Sequence, residues 1–204
     1  MKSFLSKWPI TCIAGILHII VNFIFMTVAY ILFPGSFSMF YNTASTLGNH
    51  SLNPNGAIIF RLGNIIGGAL LIPFFLGLYE WKQDNKWSTA FLYCTIILGC
   101  IMGFAFIMVG VFSQEYMPYH LMWAGVFFLA SFVTSITGGL FLLKHPDSVK
   151  SVAYYNFVSA ALHLTLIFYL THGVIIVEWI VILVFSINLV LLIYNYKQMS
   201  QTTD

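Results

Sequence analysis

Residues 88–112 read STAFLYCTIILGCIMGFAFIMVGVF and contain no charged side chain. As an α-helix, which rises about 1.5 Å per residue, this stretch would be roughly 37 Å long, enough to cross the hydrocarbon core of a bilayer, which is about 30 Å thick. Hydrocarbon offers the backbone no hydrogen-bond partners, so an isolated segment that crosses it must be helical. The stretch therefore predicts a transmembrane α-helix.

Five further apolar runs are long enough to span a bilayer. They cover residues 11–33, 57–79, 120–143, 152–170 and 174–193. The chain as a whole is 60% hydrophobic and 7% charged, whereas about 25% of the residues of a soluble domain are charged. We therefore predict an all-α polytopic membrane protein, a single domain over residues 1–204 that folds as a bundle of six transmembrane helices.

The lysines predict the orientation of this bundle. If the N-terminus is cytoplasmic, every lysine of the chain falls on the cytoplasmic side, as the excess of positive charge in cytoplasmic loops requires. These lysines are Lys2, Lys7, Lys82, Lys86, Lys144, Lys150 and Lys197. The opposite side carries Arg61, Glu115 and Glu178. We therefore predict that both termini are cytoplasmic.

The longest connection, the outer loop of residues 35–56, joins the first two helices. A loop of this length in a compact domain often covers or lines a site. Beside it, Arg61 and Asn64 share a helix face, and Arg61 lies about 6 Å below the outer end of its helix. An arginine at that depth needs a partner. The partner is either Glu115 or Glu178 in a structural ion pair, or a lipid headgroup or small anion.

His120 opens the fourth predicted helix and is a candidate general base, with Glu115 or a serine in support. A Ser–His–Glu hydrolase would use Ser45 or Ser113 as its nucleophile, since such triads are defined by geometry and not by sequence order. The sequence has no GxSxG nucleophile elbow to favour this alternative.

The outer histidines form no metal motif. His50, His120 and His172 have no recognised ligand spacing, and the sequence contains no HExxH. The three cysteines lie inside apolar runs and form no CxxC pair. A net charge of +2 does not indicate nucleic-acid binding. We therefore predict no metal, no cofactor and no nucleic-acid partner.

A second set of polar residues lies within the predicted helices. It comprises His18, Asn22, Ser131, Asn156 and His163. Polar side chains in a membrane bundle face inward and form interhelical hydrogen bonds worth about 1 kcal/mol each. A proton relay or haem ligation through His18 and His163 is the functional alternative.

Two GxxxG pairs, Gly63 with Gly67 and Gly99 with Gly103, lie in the second and third predicted helices. Glycines four residues apart share a helix face and let the backbone of a neighbouring helix approach closely. The pattern predicts a compact bundle and does not specifically indicate dimerisation.

Three stretches carry a resemblance to a known family. They are Ser45-Thr46-Leu47-Gly48 followed by Asn53-Pro54, Ile59-Phe60-Arg61-Leu62-Gly63-Asn64, and Gly110-Val111-Phe112 leading to His120. Over roughly residues 42–143 the chain resembles the prokaryotic six-helix membrane proteins known as domain of unknown function 998. That family is distantly similar to the eukaryotic DRAM, Frag and Sfk membrane proteins.

The resemblance implies a six-helix bundle in a prokaryotic plasma membrane, with an outer-facing pocket near Ser45, Arg61, Asn64 and His120. The eukaryotic relatives are linked to lipid remodelling, phosphoinositide-kinase regulation and autophagy. The resemblance therefore suggests lipid-related work and identifies no catalyst.

Three functions are compatible with these observations. The first, which we expect, is a non-enzymatic bundle whose outer pocket binds a lipid headgroup or a partner helix through Arg61. The pocket would be completed by Ser45, Asn64, Glu115 and His120. The second is an enzyme acting on lipids or lipid-linked groups, with His120 as general base and Glu115 in support. The third is an accessory subunit of a larger membrane complex.

Overall fold

The computed structural model describes residues 9–202, without the side chains of residues 167–171 and 200–202. This part of the chain forms six α-helices and contains no strand. The helices are α1 (Ile10–Ile31), α2 (Ala57–Gly77), α3 (Lys86–Val111), α4 (Met117–Lys144), α5 (Lys150–Thr171) and α6 (Ile176–Thr202). The prediction of an all-α fold with six helices is confirmed.

Local sequence explains where helix bounds differ from those predicted. α3 begins two residues early because the Asn85 side chain caps it, accepting hydrogen bonds from the N–H groups of Trp87 and Ser88 at 3.0 and 3.1 Å. α4 also begins early, since Pro118 fits the first turn of a helix, where its missing N–H is not needed. α6 extends well beyond its predicted end because Tyr196 is still buried in the core.

Successive helices pack side by side, and α6 also packs against α1, so the six helices form a closed ring in chain order. Neighbouring helices are antiparallel, as the short connections along the chain from α2 to α6 require, and α1 and α2 are antiparallel as well. Gly77 at the end of α2 lies against Thr11 at the start of α1, and Gly63 near the start of α2 lies against Phe25 in the second half of α1.

Five of the helices are long and apolar enough to cross a membrane, judged by the length and composition of the described residues. α5 is not among these five, but it runs antiparallel to α4 through the same layer. His163 of α5 bonds Ser131 of α4, and Phe157 lies against Gly139 further along the pair. The chain is therefore an integral membrane protein.

The antiparallel order sorts the charged residues between the two ends of the bundle. The lysines that the structure describes share one end, which we call the lysine end. They are Lys82, Lys86, Lys144, Lys150 and Lys197. Lys2 and Lys7 lie outside the described residues. Arg61, Glu115 and Glu178 lie at the opposite end, the arginine end. That the lysine end is cytoplasmic stays a prediction.

The two GxxxG pairs serve different interfaces. Gly63 and Gly67 face α1, where an added Cβ would lie within 2.5 Å of side-chain atoms. Gly99 and Gly103 face α2, and a Cβ added at Gly103 would lie 2.9 Å from the carbonyl oxygen of Gly68. Real Cβ atoms essentially never come this close to other atoms, so the predicted close packing of helices is confirmed.

Candidate functional site

Residues 32–56 form a loop over the arginine end, which we call the arginine-end loop, and Asn53 holds it in place. The Asn53 side chain is fully buried. Its Nδ2 donates to Ala29 O at 3.0 Å and to Leu47 O at 2.9 Å, while its Oδ1 accepts from Gly56 N at 3.1 Å. A single amide therefore ties the loop to the end of α1 and to the approach to α2.

α6, which packs against α1, holds the same loop at a second point. The loop contains a short 3-10 turn, Ala44–Gly48. The buried carboxylate of Glu178, in the first turn of α6, accepts from the N–H of Ala44 at 3.1 Å. The next residue, Trp179, donates its indole N–H to Asn42 O at 2.9 Å. Glu178 therefore caps the 3-10 turn.

Ser45 and Glu115 also take part in contacts of the arginine-end loop. The Ser45 hydroxyl lies 3.1 Å from Thr43 Oγ1, which accepts from Gln114 Nε2 at 3.4 Å. Glu115 Oε1 accepts from Ser51 N at 2.9 Å. Both contacts link the loop to the connection between α3 and α4.

Arg61 is partly buried near the start of α2 and caps the end of α3. Its Nε and Nη2 donate to the carbonyl oxygens of Gly110 and Val111, each at 3.0 Å. The last carbonyls of a helix lack partners within it and carry the negative end of its dipole, so a guanidinium stabilises them. The predicted ion pair between Arg61 and Glu115 or Glu178 is wrong. Within the described residues, Glu178 accepts from the N–H of Ala44 and Glu115 from the N–H of Ser51, both in the arginine-end loop.

His120 caps the carbonyl that follows. Its Nδ1 lies 2.8 Å from Phe112 O, and because a carbonyl only accepts, Nδ1 carries the proton and donates it. The ring is 7% exposed, and its Nε2 has no hydrogen-bond partner among the described residues. Arg61 and His120 thus serve three successive carbonyls, those of residues 110–112.

Asn64, one turn along α2 from Arg61, is buried against the same helix end. A Cβ added at Gly110 would lie 3.2 Å from the Asn64 Cβ. Within residues 9–202 the Asn64 amide makes no side-chain hydrogen bond. The structure therefore gathers Arg61, Asn64 and His120 around the last turn of α3, while Ser45 and Glu115 contact the neighbouring loop and the start of α4.

The hydrogen bonds around this helix end do not form a hydrolase triad. A hydrolase triad needs a serine on one imidazole nitrogen and an acid on the other. In the described part of the chain, the Ser113 hydroxyl lies 3.4 Å from Glu115 and Nδ1 of His120 faces a carbonyl, so no such order is formed.

His18 and Asn22 form one interior group, at the interface of α1 and α2. His18 Nδ1 donates to Gly67 O at 2.8 Å, and Asn22 Nδ2 donates to His18 O at 2.9 Å.

Across residues 9–202, no three His, Cys, Asp or Glu side chains cluster in a way that would hold a metal ion.

The remaining interior residues form a second group among α4, α5 and α6. Ser131 Oγ lies 2.8 Å from His163 Nε2, and Asn156 Oδ1 accepts from Asn188 Nδ2 at 3.2 Å. Ser159 shares the helix face of Asn156 and His163, and its backbone carbonyl accepts from His163 Nδ1 at 2.7 Å. Asn188 was not predicted from the sequence. The signal for Asn188 was a polar residue inside the long apolar run of α6.

The comparison with known families agrees with the architecture. A family described as a protein of unknown function (DUF998) matches residues 13–194, which takes in all or most of every helix. No curated protein and no solved structure matches the chain. The match extends well beyond residues 42–143, where the sequence motifs lie. The chain belongs to the DUF998 family.

Proposed function

We propose that this chain is a non-enzymatic protein of a prokaryotic plasma membrane that binds the anionic headgroup of a lipid at its arginine end, which faces the exterior. Arg61 is the contact to the headgroup. One observation supports this function above the others: the partly buried guanidinium of Arg61 has no ion-pair partner among the described residues.

The charge of Arg61 is only partly balanced by its protein neighbours. A helix C-terminus carries a partial charge of about −0.5, so α3 leaves roughly half of the positive charge uncompensated. Two of the five N–H donors of the guanidinium are used by α3. A phosphate group matches the remaining planar donors and supplies the missing charge at the depth where lipid headgroups lie.

Neighbouring residues suit the same ligand. The Asn64 amide makes no side-chain hydrogen bond in the described residues, lies against the helix end that Arg61 caps, and has N–H groups that can donate to a phosphate. Tyr116 and Tyr119 are exposed at the start of α4. Tyrosines with this exposure are common at the level of the lipid headgroups.

The test uses Arg61→Gln, which keeps N–H donors for α3 and removes the charge. Wild type and variant are purified in nanodiscs containing phosphatidylglycerol, and the lipid retained after transfer to detergent is counted by native mass spectrometry. Charge-assisted hydrogen bonds contribute about 1.5–3 kcal/mol, so we expect roughly 10–100-fold weaker retention by the variant.

Lys150→Gln is the matched control. Lys150 also caps a helix, since its Nζ donates to Leu142 O and Leu143 O of α4 at 3.1 Å, but it lies at the lysine end. Lys150→Gln should retain as much lipid as wild type. Equal retention by all three proteins would exclude the proposed function.

A second candidate is an enzyme acting on lipids or lipid-linked groups, with His120 as general base and Glu115 nearby. The observation in its favour is the Nε2 of His120, which has no partner in the described part of the chain and is able to accept a proton. Turnover of a labelled lipid extract that is lost in His120→Gln would support the enzyme. No turnover by the wild-type protein would exclude it for the lipids tested.

A further inference from the structure

A cavity of about 20 Å³ lies inside the bundle, where α2 to α6 surround it. Most of its lining is apolar, and its polar lining side chains are Thr95, Ser131, Thr134, Ser135, Asn156 and Asn188. None of the residues that line it carries a charge. The cavity is separate from the arginine end, because none of the five residues predicted there takes part in its lining.

Two polar atoms of this lining have no partner. Thr134 Oγ1 and Asn188 Oδ1 are the only fully buried side-chain oxygen or nitrogen atoms without a hydrogen bond among the described residues. Their side chains are 7% and 5% exposed. Buried polar groups in folded proteins are almost always paired, so two such atoms lining one cavity indicate that something occupies it.

Neighbouring hydrogen bonds fix the orientation of the Asn188 amide. Asn156 Nδ2 donates to Val152 O at 2.9 Å, which leaves Asn156 Oδ1 to accept from Asn188 Nδ2. Asn188 Oδ1 is therefore the free atom, and it only accepts. The Thr134 hydroxyl both donates and accepts. A suitable occupant donates to Asn188 and accepts from Thr134.

Charge and size narrow the class of occupant. An anion would be repelled by the Asn188 oxygen, which only accepts hydrogen bonds. A cation would be buried in a lining that has no carboxylate to balance its charge, and burying an unpaired charge within a bilayer costs free energy. A water molecule needs a cavity of about 10–15 Å³ on this measure of volume, so the cavity has room for one such molecule. From these observations we propose that this cavity binds a single neutral molecule of water size, which donates to Asn188 Oδ1 and accepts from the Thr134 hydroxyl.

A valine substitution at Thr134 separates an occupied cavity from an empty one. If a molecule is bound, Thr134→Val removes one of its hydrogen bonds, and the midpoint of thermal unfolding should fall by about 2–4 °C. If the cavity is empty, the variant loses only an unpaired buried hydroxyl, and the midpoint should stay the same or rise. A fall that Thr165→Val reproduces would also count against the proposal, because Thr165 bonds only a carbonyl of its own helix.

The identity of the molecule is tested by solid-state NMR on protein in liposomes with labelled asparagine and leucine. In wild type we expect magnetisation to be transferred from water to the Asn188 side chain. In the double variant Thr134→Val/Asn188→Leu the signal of the leucine at position 188 is followed instead, and the transfer should be lost. Leu71, which is fully buried, is the dry reference. The proposal of a neutral, water-sized occupant would be overturned by either of two results. One is transfer from water to Asn188 that is no greater than transfer to Leu71. The other is a midpoint of thermal unfolding that rises with sodium concentration only in wild type.

Discussion

The first three helices and the last three are held together by different means. Between α1, α2 and α3, glycines bring backbones and side chains into direct contact. Among α4, α5 and α6, buried serines, asparagines and a histidine bond across the interfaces. We call these the glycine half and the polar half. Lipid tails are as apolar as leucine, so hydrophobic burial does not drive helices together in a bilayer. The glycine half therefore relies mainly on close packing, and the polar half mainly on interhelical hydrogen bonds.

The contacts of the glycine half leave no room for a side chain. A Cβ added at Gly68 would lie 2.5 Å from Gly103 O and 2.7 Å from Ile107 N. One added at Gly99 would lie 2.1 Å from the ring of Phe75. Helices at this separation gain dispersion energy along their whole length, with no requirement for polar groups.

The polar half is less tightly packed at its glycines. A Cβ added at Gly138 would have its nearest neighbour at 3.5 Å, and one added at Gly125 would meet nothing within 4 Å. One added at Gly139 would lie 3.0 Å from the ring of Phe157, still further than the nearest contacts of the glycine half. Asn156 bonds Asn188, and Asn195 accepts from the N–H of Val149 at 2.7 Å. Directional bonds replace close approach here, and the interior cavity lies beside them.

Gly68→Ala should have the largest effect on this comparison. The added methyl group meets backbone atoms of α3 that cannot move unless the helices separate, so we expect a loss of about 3 kcal/mol in the free energy of unfolding. Unfolding in mixed detergent and SDS, followed by circular dichroism, measures it. Gly125→Ala is the matched control and should change stability by less than about 1 kcal/mol. Similar losses in both variants would remove the distinction between the halves.

Asn156→Leu should have the next largest effect, about 2 kcal/mol, because it leaves the Asn188 amide buried without its partner. The same unfolding assay on Asn156→Leu, Asn188→Leu and the double variant forms a double-mutant cycle. A coupling energy of about 1 kcal/mol is expected for a direct bond in a membrane interior. Strictly additive losses would mean that this bond does not stabilise the polar half.

Glu178→Ala tests the connection between the halves, since α6 holds a loop that joins α1 to α2. Without its carboxylate the N–H of Ala44 loses its acceptor, at a local cost of about 1 kcal/mol. Amide hydrogen exchange in residues 44–46 should become roughly fivefold faster. Glu178→Gln keeps an acceptor oxygen and should exchange at a rate close to wild type. If Glu178→Ala leaves exchange unchanged, the loop is held mainly by Asn53.

Arg61→Gln and Lys150→Gln should have the smallest effects on stability. Each removes a positive charge from a helix C-terminus, one in each half, for which we expect a loss of about 0.3–1 kcal/mol. Thermal unfolding at low and high salt measures both, and the loss should shrink at high salt. A much larger loss in Arg61→Gln would indicate that its role is structural and would weaken the case for lipid binding.

The sequence was sufficient to predict the helices, because length and hydropathy decide them with little reference to tertiary structure. The partners of Arg61 were not predictable in the same way. Its α3 carbonyls lie 49 and 50 residues away along the chain, and charge alone pointed to Glu115 and Glu178. Helical spacing shows that Arg61 shares a face with Asn64, but not which helix end it meets.

The interior residues show the same limit. Spacing placed His18 with Asn22, and Asn156 with His163, each pair on one inward face. Spacing did not show that His18 and Asn22 would pack on α2, or that Asn156 and His163 would bond residues of α6 and α4. That assignment depends on the order of helices around the ring, which hydropathy does not encode.

The closed ring also affects how the protein is made. Gly15 of α1 packs against Ile193 of α6, so this side of α1 has no partner until α6 has been synthesised. During that interval His18, which lies among Gly67 of α2, Phe106 of α3 and Phe185 of α6 in the finished protein, lacks its contact with α6. Membrane chaperones that shelter polar surfaces would have their longest period of access to this side of the nascent chain.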